Sequence, residues 1–503
     1  MAFVSKLEKD GVTNSSVHVA RTQIPYDDYY EQQFFLMKEY LTYEDTAKLN
    51  SFNISVLAAR DLIKQIDSDT QDILIEILRQ IHAKWAPHDK RNQFLVVYPC
   101  EVVLLVMMLC FMSGKHTIEG VVDYWIVHNP ELQVLIPNMP TANHIISHET
   151  VRNMLKLADE KVLEGFFIEF FANVNVDTKK FHFPGIDTTE FKPTLGLDGQ
   201  EVKSSYRRRE YSRKVKGAIG VSVYNCDTKT VLGYSTTDKK SNEDKVFGAI
   251  FPNLAINGDE IIVADAINTR TAILNALNKR SIDYLLPIKN NRKVMTRAIV
   301  DAFEHSLERE QIISTTTTFV SGRNETRTFT LIPAPVLPDD DGIFTRVKTL
   351  LKYETTSQRV LKRNVEGAPK ATSKVKYYIC SLEHSIDSLK QIMHSIDVYW
   401  SIEQHHNTLD TVMMQDRINA CDAKYLSAGI GINKIIYNVL TYSRHQTKLY
   451  THKTKTYKSM MDFDCSAPLG AFNLLAKYYL SGAPVQITTP KRIPTLFKLE
   501  ELI

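Results

Sequence analysis

Residues 260–289 read EIIVADAINTRTAILNALNKRSIDYLLPIK, and this stretch decides the fold class. Its first part, EIIVAD, is a continuous apolar run typical of a strand that is buried on both faces. The segment RTAILNALNKR then has the apolar spacing of a helix, and DYLLPIK reads as a second buried strand. Strand, helix and strand in this order predict an α/β domain built on a mixed sheet.

The segments on either side extend this domain. Upstream, TLGLD, KGAIGVSVYN and TVLGYSTTD have strand patterns, and EDKVFGAIFPNL has the pattern of a helix. Downstream, residues 308–380 combine threonine-rich alternation with a loop rich in proline and aspartate. We expect this segment to form a β-rich insertion that lies beside the central sheet and is not part of it. The core order resumes at VKYYICSL.

The domain organisation follows from where the pattern changes. A chain of 503 residues exceeds one ordinary core. We expect a helical N-terminal extension over residues 1–90, a second helical region over 91–185, the α/β domain over 186–445 and a basic C-terminal tail over 446–503. The apolar run at residues 102–112 has eleven residues, VVLLVMMLCFM, whereas a membrane span needs about 20, so it predicts a buried core helix.

Composition narrows the functional classes. The formal net charge is +3, so only local charge can argue for nucleic-acid binding. The six cysteines are scattered without a CxxC pair, and the first twenty residues do not form a signal peptide, which together indicate a cytosolic protein with reduced thiols. The chain has no phosphate loop, no Rossmann glycine pattern and no nucleophile elbow, and His405 and His406 lack the HExxH spacing of zinc ligands.

Three acidic residues are the strongest candidates for chemistry. Asp198 follows the apolar run of TLGLD, Asp265 ends EIIVAD, and Glu403 lies in the amphipathic stretch VYWSIEQHHNTLD. Carboxylates at strand ends sit at one edge of a sheet, where ligands of α/β proteins bind. Hard divalent cations prefer such oxygen ligands, with room left for water and phosphate. A purely structural role remains open for each acid: a turn for Asp198, a helix N-cap for Asp265 and a solvated helix position for Glu403.

Basic residues cluster just after the first of these acids. Within ten residues the sequence carries six positive charges, at Arg207, Arg208, Arg209, Arg213, Lys214 and Lys216. Such a stripe is typical of phosphate contacts with nucleic acid, and a solvated hairpin is the alternative. A further basic group, between Arg359 and Lys376, belongs to the predicted insertion, where it would lean over the acids and hold DNA.

Seven short motifs in order resemble a known family over about residues 92–445. They are YPCEVVLLVMMLCFMSGKHTIEGVVDYW, SHETVRNMLKLAD, LDGQEVKSS, KKSNED, IVADAINTR, DYLLPIKNNRKVM and YWSIEQHHNTLD. Together they are similar to the H-repeat-associated transposases of bacterial insertion sequences, a branch of the DDE transposases with a ribonuclease-H-like core. The chain departs from the family pattern in having Gln200 for lysine, Lys203 for arginine and Arg270 for glutamine. After Glu403 it lacks the family's histidine-tryptophan pair, and Leu409-Asp410 comes about one residue early.

The resemblance implies a ribonuclease-H-like mixed sheet with a β-rich insertion, preceded by an all-helical region. It implies that Asp198, Asp265 and Glu403 are the catalytic residues and the ligands of two Mg²⁺ or Mn²⁺ ions. The resemblance also places residues of the KKSNED and KNN segments near the bound DNA. Together with the basic stripe, the expected DNA contacts are Arg207, Arg208, Arg209, Arg213, Lys214, Lys240, Asn242, Lys289 and Asn291.

The implied function is a DNA transposase that cuts the ends of its element and joins them to target DNA. Its partners would be double-stranded DNA and further copies of the chain, in a homodimer or higher oligomer, with no membrane. It would act in the bacterial cytoplasm, at the nucleoid. Two alternatives stay open: a catalytically inactive DNA-binding protein derived from a transposase, and a metal-dependent nuclease without strand transfer.

Overall fold

The computed structural model covers the chain from the end of the N-terminal extension to the last helix, with gaps. It describes residues 68–91, 96–136, 139–140, 144–157, 165–166, 191–202, 219–237, 243–254, 256, 258–265, 270–289, 292–320, 322–338, 342–359, 371–417, 423–451 and 455–480.

The strands of the described residues belong to one nine-stranded sheet. Their bounds are β1 Thr194–Glu201, β2 Ile219–Asn225, β3 Thr230–Thr237, β4 Ile261–Ala264, β5 Asp283–Ile288, β6 Ile312–Val320, β7 Arg323–Pro333, β8 Thr349–Arg359 and β9 Thr372–Cys380. Their spatial order is β3-β2-β1-β4-β5-β9-β8-β7-β6.

The first five strands form the core half of the sheet. Strands β1, β4 and β5 are parallel, whereas β2 lies antiparallel between β1 and β3. Every residue of β2 and β4 is buried, as expected for strands that are covered on both faces. The order 3-2-1-4-5 with one antiparallel strand is the ribonuclease-H-like arrangement, so the predicted α/β fold class is confirmed.

The helices flank the sheet and form a separate bundle. Their bounds are α1 Ser68–Trp85, α2 Cys100–Met112, α3 Ile118–Leu135, α4 His148–Lys156, α5 Glu243–Ile250, α6 Thr271–Lys279, α7 Lys293–His305, α8 Ile386–Tyr399, α9 Ser401–Thr411, α10 Ala423–Thr451 and α11 Pro468–Leu480, with a helical turn at Tyr457–Ser459 that runs into a π-helical turn at Met460–Asp464.

Two apolar layers hold the sheet between its helices. On one face, β4 and β5 share a buried cluster with α8 through Val263, Leu285 and Ile392. On the other face, Ile262 and its neighbours pack with α5, α6 and α7. Burying one such aliphatic side chain contributes roughly 1.5–3 kcal/mol. The two layers therefore determine which side chains of each strand face α8 and which face α5, α6 and α7.

The predicted insertion is β-rich, but the expectation that it lies beside the central sheet is wrong. Strand β9 pairs with β5 in antiparallel register, Leu285 opposite Cys380, and β8, β7 and β6 continue the same sheet outward. Without β9 the backbone groups along this side of β5 would have no ladder partners, which is costly for a buried strand. The ends of β7, β8 and β9 nearest the core are buried, and their far ends are exposed.

The N-terminal and C-terminal helices share one core. All thirteen residues of α2 are buried, which confirms the predicted core helix. The Ser147 hydroxyl caps α4 by accepting a bond from the Thr150 N–H. No helix in the described part of the chain is long and apolar enough to cross a membrane.

Two parts of the expected domain scheme need correction. Helix α11 packs into the helical core with α1, α2 and α3, so residues 468–480 are not a tail. Helix α1 belongs to the same core as α2, so residue 90 does not separate two packed units. The contacts of α11 with α1, α2 and α3 span more than three hundred residues of sequence, whereas α1 and α2 are neighbours along the chain.

Candidate active site

Asp198 and Asp265 occupy equivalent positions on adjacent parallel strands. The ladder between β1 and β4 ends with Leu197 opposite Ala264, and each aspartate is the next residue. Neighbouring strands lie about 4.8 Å apart, so this register alone brings the two acids side by side. Leu197 and Ala264 face the α5–α7 layer, and side chains alternate along a strand, so the aspartates face the α8 layer.

Gly196 allows the helices to approach β1 closely beside these acids. A Cβ atom at this position would lie 3.0 Å from Cys226 Sγ and 3.2 Å from Ile402 Cδ1. Ile402 is the second residue of α9 and comes immediately before Glu403. The missing side chain therefore lets the start of α9 lie directly on the strand that carries Asp198.

Asp198 is partly enclosed, with its side chain 28% exposed. Its Oδ1 accepts a hydrogen bond from the Gly199 N–H at 2.9 Å, and Nδ1 of His406 lies 3.6 Å from its Oδ2. Burial and the nearby positive charge of Lys434 lower the pKa of His406 to about 3. His406 is therefore neutral at pH 7, and its approach to Asp198 is not an ion pair.

Asp265 is more open, with its side chain 53% exposed. Its Oδ1 accepts a hydrogen bond from Lys289 Nζ at 3.2 Å, and Lys289 follows the end of β5. Exposed pairs of this kind contribute at most about 1 kcal/mol, so a competing cation or phosphate can displace the contact at little cost.

Glu403 lies in the first turn of α9, and the charge of Asp265 affects the pKa of its carboxyl group. Burial raises the pKa of the Glu403 carboxyl, and the negative charge of Asp265 raises it further, whereas Lys376 on β9 acts in the opposite direction. Repulsion between two carboxylates requires them to be near each other. The predicted acids thus share one region, although no group of three or more acidic, histidine or cysteine side chains in the described ranges is close enough to hold a metal ion together.

A buried polar network, which sequence reasoning missed, lies behind Asp198. The Nε2 of Gln200 donates to Asp410 Oδ1 at 2.7 Å and to the His406 carbonyl at 3.1 Å. The Nζ of Lys434, a residue of α10 that is 0% exposed, donates to Ser222 Oγ at 2.7 Å. Burial lowers the pKa of Lys434 to about 7, and the negative charge of Asp410 partly opposes this shift.

The two histidines after Glu403 are structural in this arrangement. His405 is fully buried, stacks on Tyr224 with ring centroids 4.9 Å apart and meets Tyr437 edge-on at 4.2 Å. Burial holds the pKa of His405 well below its ordinary value. A neutral imidazole packed between two tyrosines does not point to a metal, in agreement with the missing zinc-ligand spacing.

A cavity of about 690 Å³ opens beside Asp265. Its walls carry three cationic side chains, Lys289, Arg327 and Lys376, together with several aromatic rings. One of these, Trp400, is 61% exposed and stands just before the helix of Glu403. Cations that can neutralise phosphate and rings that can stack on bases are the side chains that nucleic-acid-binding surfaces use.

The remaining predicted DNA contacts lie outside the described residues, apart from Lys289. They are Arg207, Arg208, Arg209, Arg213, Lys214, Lys240, Asn242 and Asn291. Sequence gave one signal for the network that it missed: Gln200 lies two residues after Asp198, on the same face of β1. Nothing local marks Asp410 or Lys434, because each is joined to the strands across more than two hundred residues.

Comparisons with known proteins relate the chain to transposases. The family described as Transposase DDE domain matches residues 186–439. The Escherichia coli (strain K12) protein YbfL is 26% identical over 359 residues, which are 70% of this chain and 88% of that protein. The H repeat-associated protein YhhI of the same organism is 25% identical over the same length and shares.

A more distant likeness links the chain to a solved structure. The piggyBac transposase synaptic complex with hairpin DNA aligns over 87% of this chain and 86% of that chain, with a TM-score of 0.36 and 12% identity. A likeness at this level carries no conclusion about the site.

Proposed function

Because the chain belongs to the family of transposases with a DDE domain, we propose that it cuts DNA at the ends of a mobile element and joins those ends to target DNA. The observation that carries this proposal is the placement of Asp198 and Asp265 at equivalent ends of adjacent parallel strands, within the matched segment. Glu403 would be the third acid, and the charge of Asp265 raises the pKa of its carboxyl group.

The three carboxylates fit divalent cations chemically. Mg²⁺ and Mn²⁺ prefer carboxylate oxygens and keep several water ligands, so three acids that share one solvent-accessible region suit them. Asp198, Asp265 and Glu403 would hold two such ions. When bound, the ions would activate the attacking water or DNA 3′ hydroxyl and stabilise the leaving oxygen.

The protein's own residues would position and neutralise the DNA. Lys289 would leave Asp265 for a phosphate when the carboxylate takes a metal ligand's role. Lys376, which also lines the cavity, would hold the strand next to the scissile bond, whereas Arg327 is already paired with Glu325 and Asp397. Tyr399 is a partly buried residue of α8 whose pKa is raised by burial and by the charges of Asp198 and Asp265, and it would keep bulk water from that side of the site.

Partners and setting follow from the reaction. Joining two ends requires both to be held at once, so we expect a homodimer or higher oligomer on double-stranded DNA. The basic stripe from Arg207 to Lys214 would contact phosphates without reading sequence. The protein would act in the bacterial cytoplasm, at the nucleoid where its substrate lies.

A cleavage and joining assay tests the proposal. The full chain is incubated with labelled duplexes from the DNA that flanks its gene, with Mg²⁺ and a supercoiled target plasmid. We expect labelled ends to be cut and then recovered in the plasmid, and both products to be lost in Asp198→Asn. Binding without cleavage would instead indicate an inactive DNA-binding protein, and cleavage without joining would indicate a nuclease.

A further inference from the structure

The helix of Glu403 and the strand of Asp198 are joined by more than apolar packing. Gln200 on β1 reaches α9 at two points, the carboxylate of Asp410 and the carbonyl of His406. The Oε1 of Gln200 accepts a hydrogen bond from Gln415 Nε2 at 3.2 Å. Both the donor and the acceptor of the Gln200 amide group are therefore hydrogen-bonded. Gln200 is 6% exposed, which makes each of these bonds costly to lose.

Lys434 completes this arrangement from a third element. Its ammonium bonds Ser222 Oγ, and Ser222 lies directly opposite Asp198 in the ladder between β1 and β2. One turn earlier on α10, Ile430 contacts the Cα side of Gly220 on β2, so α10 lies on the same face of the sheet as α9. A buried cation requires a nearby negative charge, and Asp410 provides it.

We propose that Gln200, Asp410 and Lys434 form a polar brace that fixes α9 against β1 and thereby sets the separation of Asp198 and Glu403. The role of the brace in the reaction rests on the function proposed above. Its members are positioning residues, because none of them touches the DNA or the reacting atoms. Buried polar groups bond only in particular geometries, so these bonds hold α9 in one position along β1.

The first test measures the position of α9 without metal or DNA. Spin labels are attached to cysteines introduced at two exposed positions, Gln404 on α9 and Asn275 on α6. The background protein carries Cys421→Ser, and the other five native cysteines are buried, so they do not react with the label. We expect a narrow distance distribution that broadens in Gln200→Leu. A distribution that stays equally narrow in a folded Gln200→Leu protein would overturn the brace.

A matched control separates the brace from general loss of buried bonds. Gln391 on α8 is 7% exposed and bonds both the N–H and the carbonyl of Lys192, so Gln391→Leu removes a similar set. We expect Gln391→Leu to lower stability without broadening the α9 distance. Equal broadening in both variants would also overturn the brace.

The second test couples the brace to the carboxylates through Mn²⁺ binding, measured by electron paramagnetic resonance. Partners behind metal ligands typically change affinity about 10–100-fold, so we expect Gln200→Leu to weaken binding roughly tenfold. Glu403→Gln should weaken it in the wild type and in Gln391→Leu, but add almost nothing in Gln200→Leu, where Glu403 is no longer held in place.

The outcomes distinguish the brace from the proposed function. Full additivity of Gln200→Leu and Glu403→Gln would overturn the brace while leaving Glu403 a ligand. No effect of Glu403→Gln alone would instead overturn the ligand role, and the distance measurement would still decide the brace. If Gln200→Leu fails to fold, Asp410→Ala removes the acceptor on α9 instead; it should broaden the distance in the same way, and an unchanged distribution in that folded variant would overturn the brace.

Discussion

Asp198 and Asp265 end adjacent strands, yet their surroundings differ. Asp198 is backed by α9, α10 and the polar brace, and the His406 ring beside it is half-buried and neutral. Asp265 faces a cavity with cationic and aromatic walls, and its lysine partner is exposed. Under the proposed function this contrast would divide the roles: the region of Asp198 would fix the geometry of the acids, and the region of Asp265 would receive the DNA.

The largest expected effect comes from removing any one acid. Asp198→Asn, Asp265→Asn and Glu403→Gln should each reduce cleavage by more than about 100-fold, since even the residues behind metal ligands change activity roughly 10–100-fold. DNA binding, measured by gel shift at fixed salt, should stay near normal because the amides keep the shape. A variant that keeps more than about a tenth of wild-type cleavage would remove its residue from the ligand set.

The buried cation behind Asp198 should make stability depend on pH. The pKa of Lys434 falls from its ordinary 10.5 to about 7 in the folded protein, so between these values the unfolded chain binds more protons. The wild type should therefore gain free energy of unfolding as pH rises through this window, by at most about 1.4 kcal/mol per pH unit.

Lys434→Met isolates this contribution in urea unfolding at pH 6, 8 and 9.5. The variant should be more stable than the wild type at pH 6, and the difference should shrink at the higher pH values. The two histidines beside Lys434, His405 and His406, do not titrate in this window, because burial holds the pKa of each well below it. A difference that does not change with pH would show that Lys434 is not buried as a cation, and Lys390→Met on the exposed face of α8 is the control.

The close approach at β1 should be sensitive to a single methyl group. Gly196→Ala places a Cβ against Cys226 and Ile402, and overpacking of this kind costs typically about 1–3 kcal/mol. The control is Gly248→Ala on α5, where a Cβ meets nothing within 4 Å and the change should stabilise the helix slightly. Equal melting temperatures for the two variants would contradict the tight contact between α9 and β1.

The smallest expected effect lies on the open side of the site. Lys289→Met should change the free energy of unfolding by less than about 1 kcal/mol, because its pair with Asp265 is exposed. It should also lower the slope of log affinity against log salt by about one unit if Lys289 contacts a phosphate. Lys390→Met serves again as the control, and identical slopes for the two variants would place Lys289 away from the DNA.

The same contrast shows what the sequence could predict. Strand ends and helix patterns are local, so the α/β class, the buried helix α2 and the candidate acids could be read from short stretches. The return to the core at VKYYICSL could also be read, and it matches β9 beside β5, but the continuation of the sheet through β8, β7 and β6 could not, because strands that continue a sheet and strands that lie beside it have the same alternation. The brace could not be predicted either, since Gln200 and Asp410 are joined only by the fold.

Anomalous diffraction at the manganese edge, from crystals of the full chain grown with Mn²⁺, tests the central claim most directly. The account predicts manganese between Asp198 and Asp265, with carboxylate oxygens of both and of Glu403 within about 2.0–2.6 Å of an ion. It also predicts that Lys289 has left Asp265. Manganese bound elsewhere, or bound to the aspartates while Glu403 stays apart, would contradict the claim that these three acids form one site.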